Sequence, residues 1–439
     1  MSENILDTMK PTPEDVPANA PPFILPAYPD SLLELPGALG AVQDFIFNRM
    51  TYPSRALAGF ATFATLTPFA QTNVTIKSRD GLGFNEYYMI LAPTGFGKED
   101  LRRPIELLDR LSNELHAENG TGNLAGAVKP ASPAILHAAP SSAQGAHQQL
   151  EQNRSAIWLA DELAEWLKHS HRPGSHVQMA LGYFMQAYTR ATGWIHPGHA
   201  VTNQYEPVEN PRVSIMATST AEAALSTMTR DQADAGSYNR FLIFPGDQEL
   251  PPKRYEGLVY EPSQDVVELV LHLKTQPPGT QIAFSKDGWQ AFKRLDELMA
   301  EPIKRRDALL GGRLSEQAIK MAALIALAHD RRQMEPQDLM TAFDIRCGIY
   351  ERAFALAAHE GSLDGLHETG EAAKQVEALF RRKAGMHRST AIKDSKKMQK
   401  LPVHLQKAVL DYLFDNGVCE PDEMKPAYLH SLIYQEGHQ

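Results

Sequence analysis

Cysteine is scarce in this chain. Cys347 and Cys419 are the two present, and they lie far apart. That excludes a disulfide framework and the close cysteine spacing of a structural zinc site, and it suits a reducing cytoplasm. Long apolar runs are also lacking. The longest, Ala56 to Ala70, is interrupted by threonines and too short to span a bilayer, so it reads as a core helix. No basic stretch followed by an apolar one opens the chain, so a secretory signal is not expected. Positive charge is not in excess either. The net charge of −10 excludes a uniformly polybasic nucleic-acid binder, so any nucleic-acid contact has to come from a local patch.

What is present suits a soluble globular protein: 439 residues, 43% hydrophobic and 22% charged, enough for two or three domains. The most informative stretch is Glu86 to Asp100, EYYMILAPTGFGKED. A short apolar run leads into Ala92-Pro93-Thr94-Gly95-Phe96-Gly97-Lys98, and the pattern predicts a strand, a glycine loop and a helix opening near Lys98. Glycines let backbone N–H groups turn toward phosphate oxygens. The positive end of the following helix faces the same oxygens, and a lysine reaches the β- and γ-phosphates. Thr94, Gly95, Phe96, Gly97, Lys98 and Glu99 are therefore candidate nucleotide contacts. Two positions depart from the usual pattern. Ala92 stands where glycine is common, and Glu99 stands where a serine or threonine would hold Mg²⁺. A carboxylate can ligate Mg²⁺, but it also sets negative charge beside a triphosphate. Arg102 and Arg103, one turn on, could offset it. The plain alternative is an ordinary glycine-rich strand-to-helix turn.

Prolines crowd residues 1–36, which predicts an extended or disordered arm. From Gly37 to Ala70 the apolar spacing is helical, with Pro53 separating two helices. Thr72 to Lys77 alternates like a strand. A helix is expected to about Ala117, a second strand at Ala134 to His137, and a helix over Ala143 to Asn153. Ala156-Ile157-Trp158-Leu159-Ala160 then reads as a buried parallel strand ending in Asp161 and Glu162. Arg212 to Ala217 is another, tipped by Thr218-Ser219-Thr220, and Arg240 stands at the mouth of a further apolar strand, Phe241 to Phe244. Bland readings exist for each. Thr218 and Ser219 could cap the next helix, and Arg240 could be a surface residue in a salt bridge.

The order of these parts resembles the AAA+ type of P-loop ATPase. More narrowly, it is similar to a phage, prophage and plasmid family of P-loop ATPases encoded with primases and helicases. The resemblance covers about Gly37 to Ala357, through APTGFGKE, IWLADE, SIMATST and GSYNRFLIF. It implies an α/β fold: a parallel sheet flanked by helices over 37–250, with a helical lid domain over 251–368. It implies ATP and Mg²⁺ as cofactors. Asp161 and Glu99 would lie in the metal sphere, and Glu162 would orient the attacking water. Thr218 or Ser219 would sense the γ-phosphate. Arg240 would reach into a neighbour's site in a homo-oligomeric ring, which the resemblance implies to be a hexamer. A basic residue near the central lid helix, Arg313 or Lys320, would touch phosphate.

After Pro251-Pro252 the composition reads as strongly helical. Over 369–439 the charge balance then reverses. Ten Lys/Arg fall between Ala372 and Lys407, against Glu377 and Asp394. Three helices are expected: Glu371 to Ala384, Ser389 to about Lys396, and Pro402 to Asp415. That order suits a winged-helix-like all-α domain whose basic flanks hold phosphates, with Arg381, Arg382, Lys383, Arg388, Lys396, Lys397 and Lys400 as candidate DNA contacts. The plain alternative is a basic helical tail packed on the ATPase body. His169, His171 and His176 lie near Glu165, but their spacing fits no standard metal motif, and they read as a solvated or DNA-facing loop.

The leading expectation is thus a ring-forming, Mg²⁺-dependent ATPase in the bacterial host cytoplasm. It would act on single-stranded or forked DNA in replication of a phage or mobile element, as a helicase or translocase, with a primase or polymerase as a candidate partner and without a membrane. One rival is a DNA-binding replication initiator or helicase loader that uses ATP as a switch, which Glu99 favours. The other is an assembly protein, such as a packaging or anti-host factor, whose hydrolysis DNA would not stimulate.

Overall fold

A computed structural model describes residues 25–433, apart from 79–80, 119–128, 162, 171–173, 197–204, 226, 228–236, 248, 361–363, 401–405, 407–408, 411–412, 415–417, 423–424 and 426. Its centre is a five-stranded parallel sheet. The strands are β1 (Tyr87–Leu91), β2 (Ala134–Leu136), β3 (Ser155–Ala160), β4 (Arg212–Ser219) and β5 (Phe241–Pro245). They lie in the order β2-β3-β4-β1-β5. Every residue of β1, β3, β4 and β5 is buried, as a parallel strand covered on both faces requires.

Strand alternation divides these apolar residues between two cores. Tyr88, Ile90, Ile157, Leu159, Met216, Leu242 and Phe244 face one core. Tyr87, Met89, Leu91, Trp158, Ile215, Phe241 and Ile243 face the other. The first core is closed by helices α1 (Gly37–Arg49), α2 (Arg55–Gln71) and α3 (Glu99–Glu118). The second is closed in part by α4 (His176–Thr189). The threonine-rich α2 is buried along almost its whole length, as expected of a core helix.

The region after residue 251 is not simply helical. Thr280–Phe284 forms a strand, which pairs in parallel with Val74–Ile76 and with Gln333–Met334. It carries two half-buried residues at its end and gives no clean alternation, which hid it in the sequence. Helices α5 (Gln264–Lys274), α6 (Leu314–Ala328) and α7 (Pro336–Glu360) contribute to the same two cores as the sheet. The body's own core positions them.

The proline-rich arm also needs correction for its described part. Residues 25–36 are packed on the body, while 1–24 lie outside the described residues. Leu32 is fully buried, Tyr28 stacks on Phe244 at 5.5 Å, and its hydroxyl donates to the Pro245 carbonyl at 2.9 Å. Proline set the composition of this segment, but a few apolar anchors decided its place.

Residues 372–429 have a core of their own, built on Val376, Phe380, Met386, Leu410, Leu413 and Leu429. This unit is not all-α. Strands Gly385–His387, Tyr428–Ser431 and Cys419–Pro421 form an antiparallel sheet, in that order, beside helices Asp364–Arg382 and Arg388–Asp394. Strands of three or four residues are too short to announce themselves by alternation. Among the described residues, no helix is long and apolar enough to cross a membrane.

Candidate phosphate-binding site

The carboxyl ends of three adjacent strands meet at one level. Leu91 pairs with Ser219, and Ala160 pairs with Ala217, so Asp161 follows level with Thr218. This is the rim where open α/β sheets bind ligands, beside the strand at which the order reverses. From β1 the chain enters Ala92 to Lys98, and helix α3 begins at Glu99. The Ala92 N–H donates to the Ser219 carbonyl at 3.0 Å, which fixes the start of the loop.

Gly95 and Gly97 have φ of +86° and +88°, in the left-handed region that an L side chain resists. A Cβ on Gly95 would meet only open space, whereas one on Gly97 would meet Asp100 Oδ2 at 2.9 Å. That oxygen is engaged: it accepts from the Thr51 N–H at 2.8 Å and ties the loop between α1 and α2 to the start of α3. Phe96 is buried in the first core, so its side chain anchors the loop and only its backbone is left for a ligand. Thr94 is exposed and Lys98 is half-buried. Among the described residues, no carboxylate lies within ion-pair reach of Lys98.

The acid strand is tied to α3 by Arg102. Its Nη1 donates to Asp161 Oδ2 at 2.7 Å, and its Nη2 donates to the Leu159 carbonyl at 2.7 Å. The same Nη1 lies 3.4 Å from Glu99 Oε1, and Arg103 Nε lies 3.6 Å from Glu99 Oε2. Both arginines thus offset the unusual Glu99, but Arg102 does more than dilute its charge. It bridges Glu99 to Asp161, the two side chains expected to hold Mg²⁺. The donor set therefore does not fit a divalent cation in this arrangement, because a guanidinium already stands between its carboxylates. Among the described residues, no group of three or more His, Cys, Asp or Glu side chains is arranged to hold a metal ion, and His171 lies outside those residues. The i,i+3 spacing of Glu99 and Arg102 was readable in the sequence. The reach to Asp161 was not.

Thr218 and Ser219 part company. Thr218 shares its strand face with Met216, toward the core that α3 covers, and Ser219 shares the opposite face with Ala217. Thr218 is 1% exposed, and its Oγ1 has no hydrogen-bond partner among the described residues. A buried hydroxyl left without a partner is costly and calls for an explanation. Glu162 lies outside the described residues.

Arg240 occupies the other end of the sheet. It precedes Phe241, the register partner of Tyr87, so it stands level with Glu86, about 20 Å below the start of the loop at Ala92 at the usual rise per strand residue. It cannot reach the glycine loop of the same chain. Its Nη2 donates to Thr189 Oγ1 at 3.2 Å, and burial, followed by the nearby Arg313, lowers its pKa. Arg313 and Lys320 also lie at this amino end, which corrects their expected place at the phosphates. Lys320 Nζ donates to the Asn85 carbonyl at 2.7 Å and pairs with Glu316 at 3.1 Å and with Glu86 at 3.5 Å. Arg313 pairs with Glu316 and stacks over Tyr188. Helix α6 enters the body beneath the sheet, and that entry decides their position.

In the C-terminal unit, Arg381 pairs with Glu377 at 2.7 Å and Lys383 with Asp394 at 3.0 Å. Arg382 and Lys396 are exposed, Arg388 and Lys397 are half-buried, and the Lys400 side chain lies outside the described residues. No family model matches the chain, and no curated protein matches it.

Proposed function

We propose that this protein binds ATP at the Ala92–Lys98 loop and couples that binding to action on DNA. In this reading it is a ring-forming, AAA+-like ATP hydrolase serving replication of a phage or mobile element as a helicase or translocase. The observation that carries the reading is the convergence of three strand ends. The glycine loop, Asp161 and the orphaned hydroxyl of Thr218 meet at one rim of a parallel sheet, on the side covered by the helix whose amino end closes the loop. Lys98 would neutralise phosphate charge, Thr218 would donate to a terminal phosphate oxygen, and Glu162 would orient water. Arg240, too far from its own loop, would act in a neighbour's site. The C-terminal unit, with its helices, three-stranded sheet and exposed Arg382 and Lys396, would hold DNA as a winged helix does.

A second reading has its own observation. The Glu99–Arg102–Asp161 bridge occupies the acids with a permanent cation, and it favours an initiator or helicase loader in which ATP acts as a switch. Hydrolysis by the full chain with and without single-stranded DNA tests both readings, beside Lys98→Ala and Glu162→Gln. The hydrolase reading expects DNA-stimulated turnover that Lys98→Ala abolishes, and nucleotide binding without turnover in Glu162→Gln. Binding without turnover in the wild-type protein would transfer the case to the switch. A forked duplex that is bound but not unwound would do the same.

A further inference from the structure

We infer that Arg102 is the resident cation of the nucleotide site, so that the triphosphate is bound without a requirement for a divalent metal. The inference rests on reading the Ala92–Lys98 loop as a triphosphate site. Three observations carry it. First, the guanidinium stands between the carboxylates that a divalent ion would need, 2.7 Å from Asp161 and 3.4 Å from Glu99. Second, it is fixed there. A second nitrogen donates to the Leu159 carbonyl at 2.7 Å, and the side chain is only 10% exposed. Releasing it would strand a charge that cannot deprotonate in a space where water cannot replace its partners. Third, Glu99 and Asp161 are 60% and 56% exposed, so the carboxylates that hold the buried guanidinium stand at the open rim beside the loop, where a divalent ion would have to enter.

Glu99 then has a physical reason. The usual hydroxyl after the lysine would give Arg102 no second carboxylate, whereas Glu99 holds it from the loop side. Arg103 Nε, 3.6 Å from the other oxygen of Glu99, adds a second permanent positive charge to the same rim. Charge-assisted bonds of this kind are shorter and stronger than neutral ones, so the bridge is a defined part of the site.

The test is equilibrium titration of the full chain with a fluorescent ATP analogue, once in Mg²⁺ and once in EDTA. The wild-type dissociation constant is expected to change less than about threefold between the buffers. Arg102→Met keeps the apolar stem and removes the charge. It is expected to weaken binding in EDTA at least tenfold and to make binding metal-sensitive. A wild-type loss of tenfold or more in EDTA would overturn the inference and leave the triphosphate reading standing. Equal binding by wild type and Arg102→Met in both buffers would overturn Arg102's role. Absence of binding in both buffers, unchanged by Lys98→Ala, would overturn the triphosphate reading and this inference with it. The wild-type comparison decides the matter even where Arg102→Met does not fold.

Discussion

Replacing Thr218 by valine should raise stability and, on the proposed reading of the loop as a triphosphate site, weaken ATP binding. Valine has nearly the same shape as threonine and lacks the hydroxyl. Thr218 is 1% exposed, and its Oγ1 finds no partner among the described residues, so the wild-type protein bears the desolvation of that oxygen without a compensating bond. Such a group costs about 1–3 kcal/mol, and its removal should recover a good part of that. For a body of this size, each kcal/mol moves the thermal midpoint by about 2 °C or slightly more, so a rise of about 2–5 °C is expected. In the nucleotide-bound protein the hydroxyl would donate to a charged phosphate oxygen. Such bonds are worth about 1.5–3 kcal/mol, so affinity for ATP should fall roughly 10- to 150-fold. Thermal unfolding and analogue titration on the same preparation measure both. A valine variant less stable than wild type by 1 kcal/mol or more would show that Oγ1 has a structural partner, and the argument for a waiting donor would collapse.

Other outcomes follow from the same packing. Lys274 is fully buried and bonded to Asp109 Oδ1 at 2.8 Å, Ser112 Oγ at 3.0 Å and Asn113 Oδ1 at 2.7 Å, joining α5 to α3. Lys274→Ala should cost about 3–5 kcal/mol by denaturant titration, and Lys274→Met with Asp109→Leu should recover much of it; equal losses in the single and double variants would contradict this. Glu86 is wholly buried, and burial, partly countered by Lys320, raises its carboxyl pKa above 4.5. Its stabilising contribution is complete below the unfolded value and is lost as pH rises through the folded one. Glu86→Gln should therefore gain on wild type as pH rises above about 4.5, read from urea midpoints, and a flat or falling difference would be inconsistent. Burial pushes Cys347 and Cys419 up to about 11. At pH 8 both thiols should react with a disulfide reagent about 100-fold more slowly than in denaturant, and rapid reaction of the native protein would refute that burial. Arg240→Ala subunits mixed into wild type should depress hydrolysis more than in proportion to their fraction, whereas a strictly proportional decline would place Arg240 outside a neighbour's site.

The sequence by itself determined the frame. Largely apolar runs at Tyr87 to Leu91, Ala156 to Ala160, Arg212 to Ala217 and Phe241 to Phe244 named four strands of the sheet, because strands buried on both faces favour apolar residues on both. Two glycines in a short loop before a helix located the turn, because positive φ is a backbone demand that residue type reveals. The short strands at Thr280–Phe284 and in the C-terminal unit stayed hidden, since few residues carry no period. The docking of residues 25–36 stayed hidden as well, since proline content speaks of stiffness and not of where a tyrosine lands.

Only the tertiary structure decided the chemistry of the rim. Strand order placed β4 between the loop strand and the acid strand, and the pleat turned Thr218 toward α3 and Ser219 away from it. Folding brought Arg102 to Asp161, 59 positions away along the chain, and carried Arg240, Arg313 and Lys320 to the opposite end of the sheet. Those distances arise from crossover connections and helix packing. Spacing along a sequence measures neither, so residue types could nominate the participants while the sheet chose which of them meet.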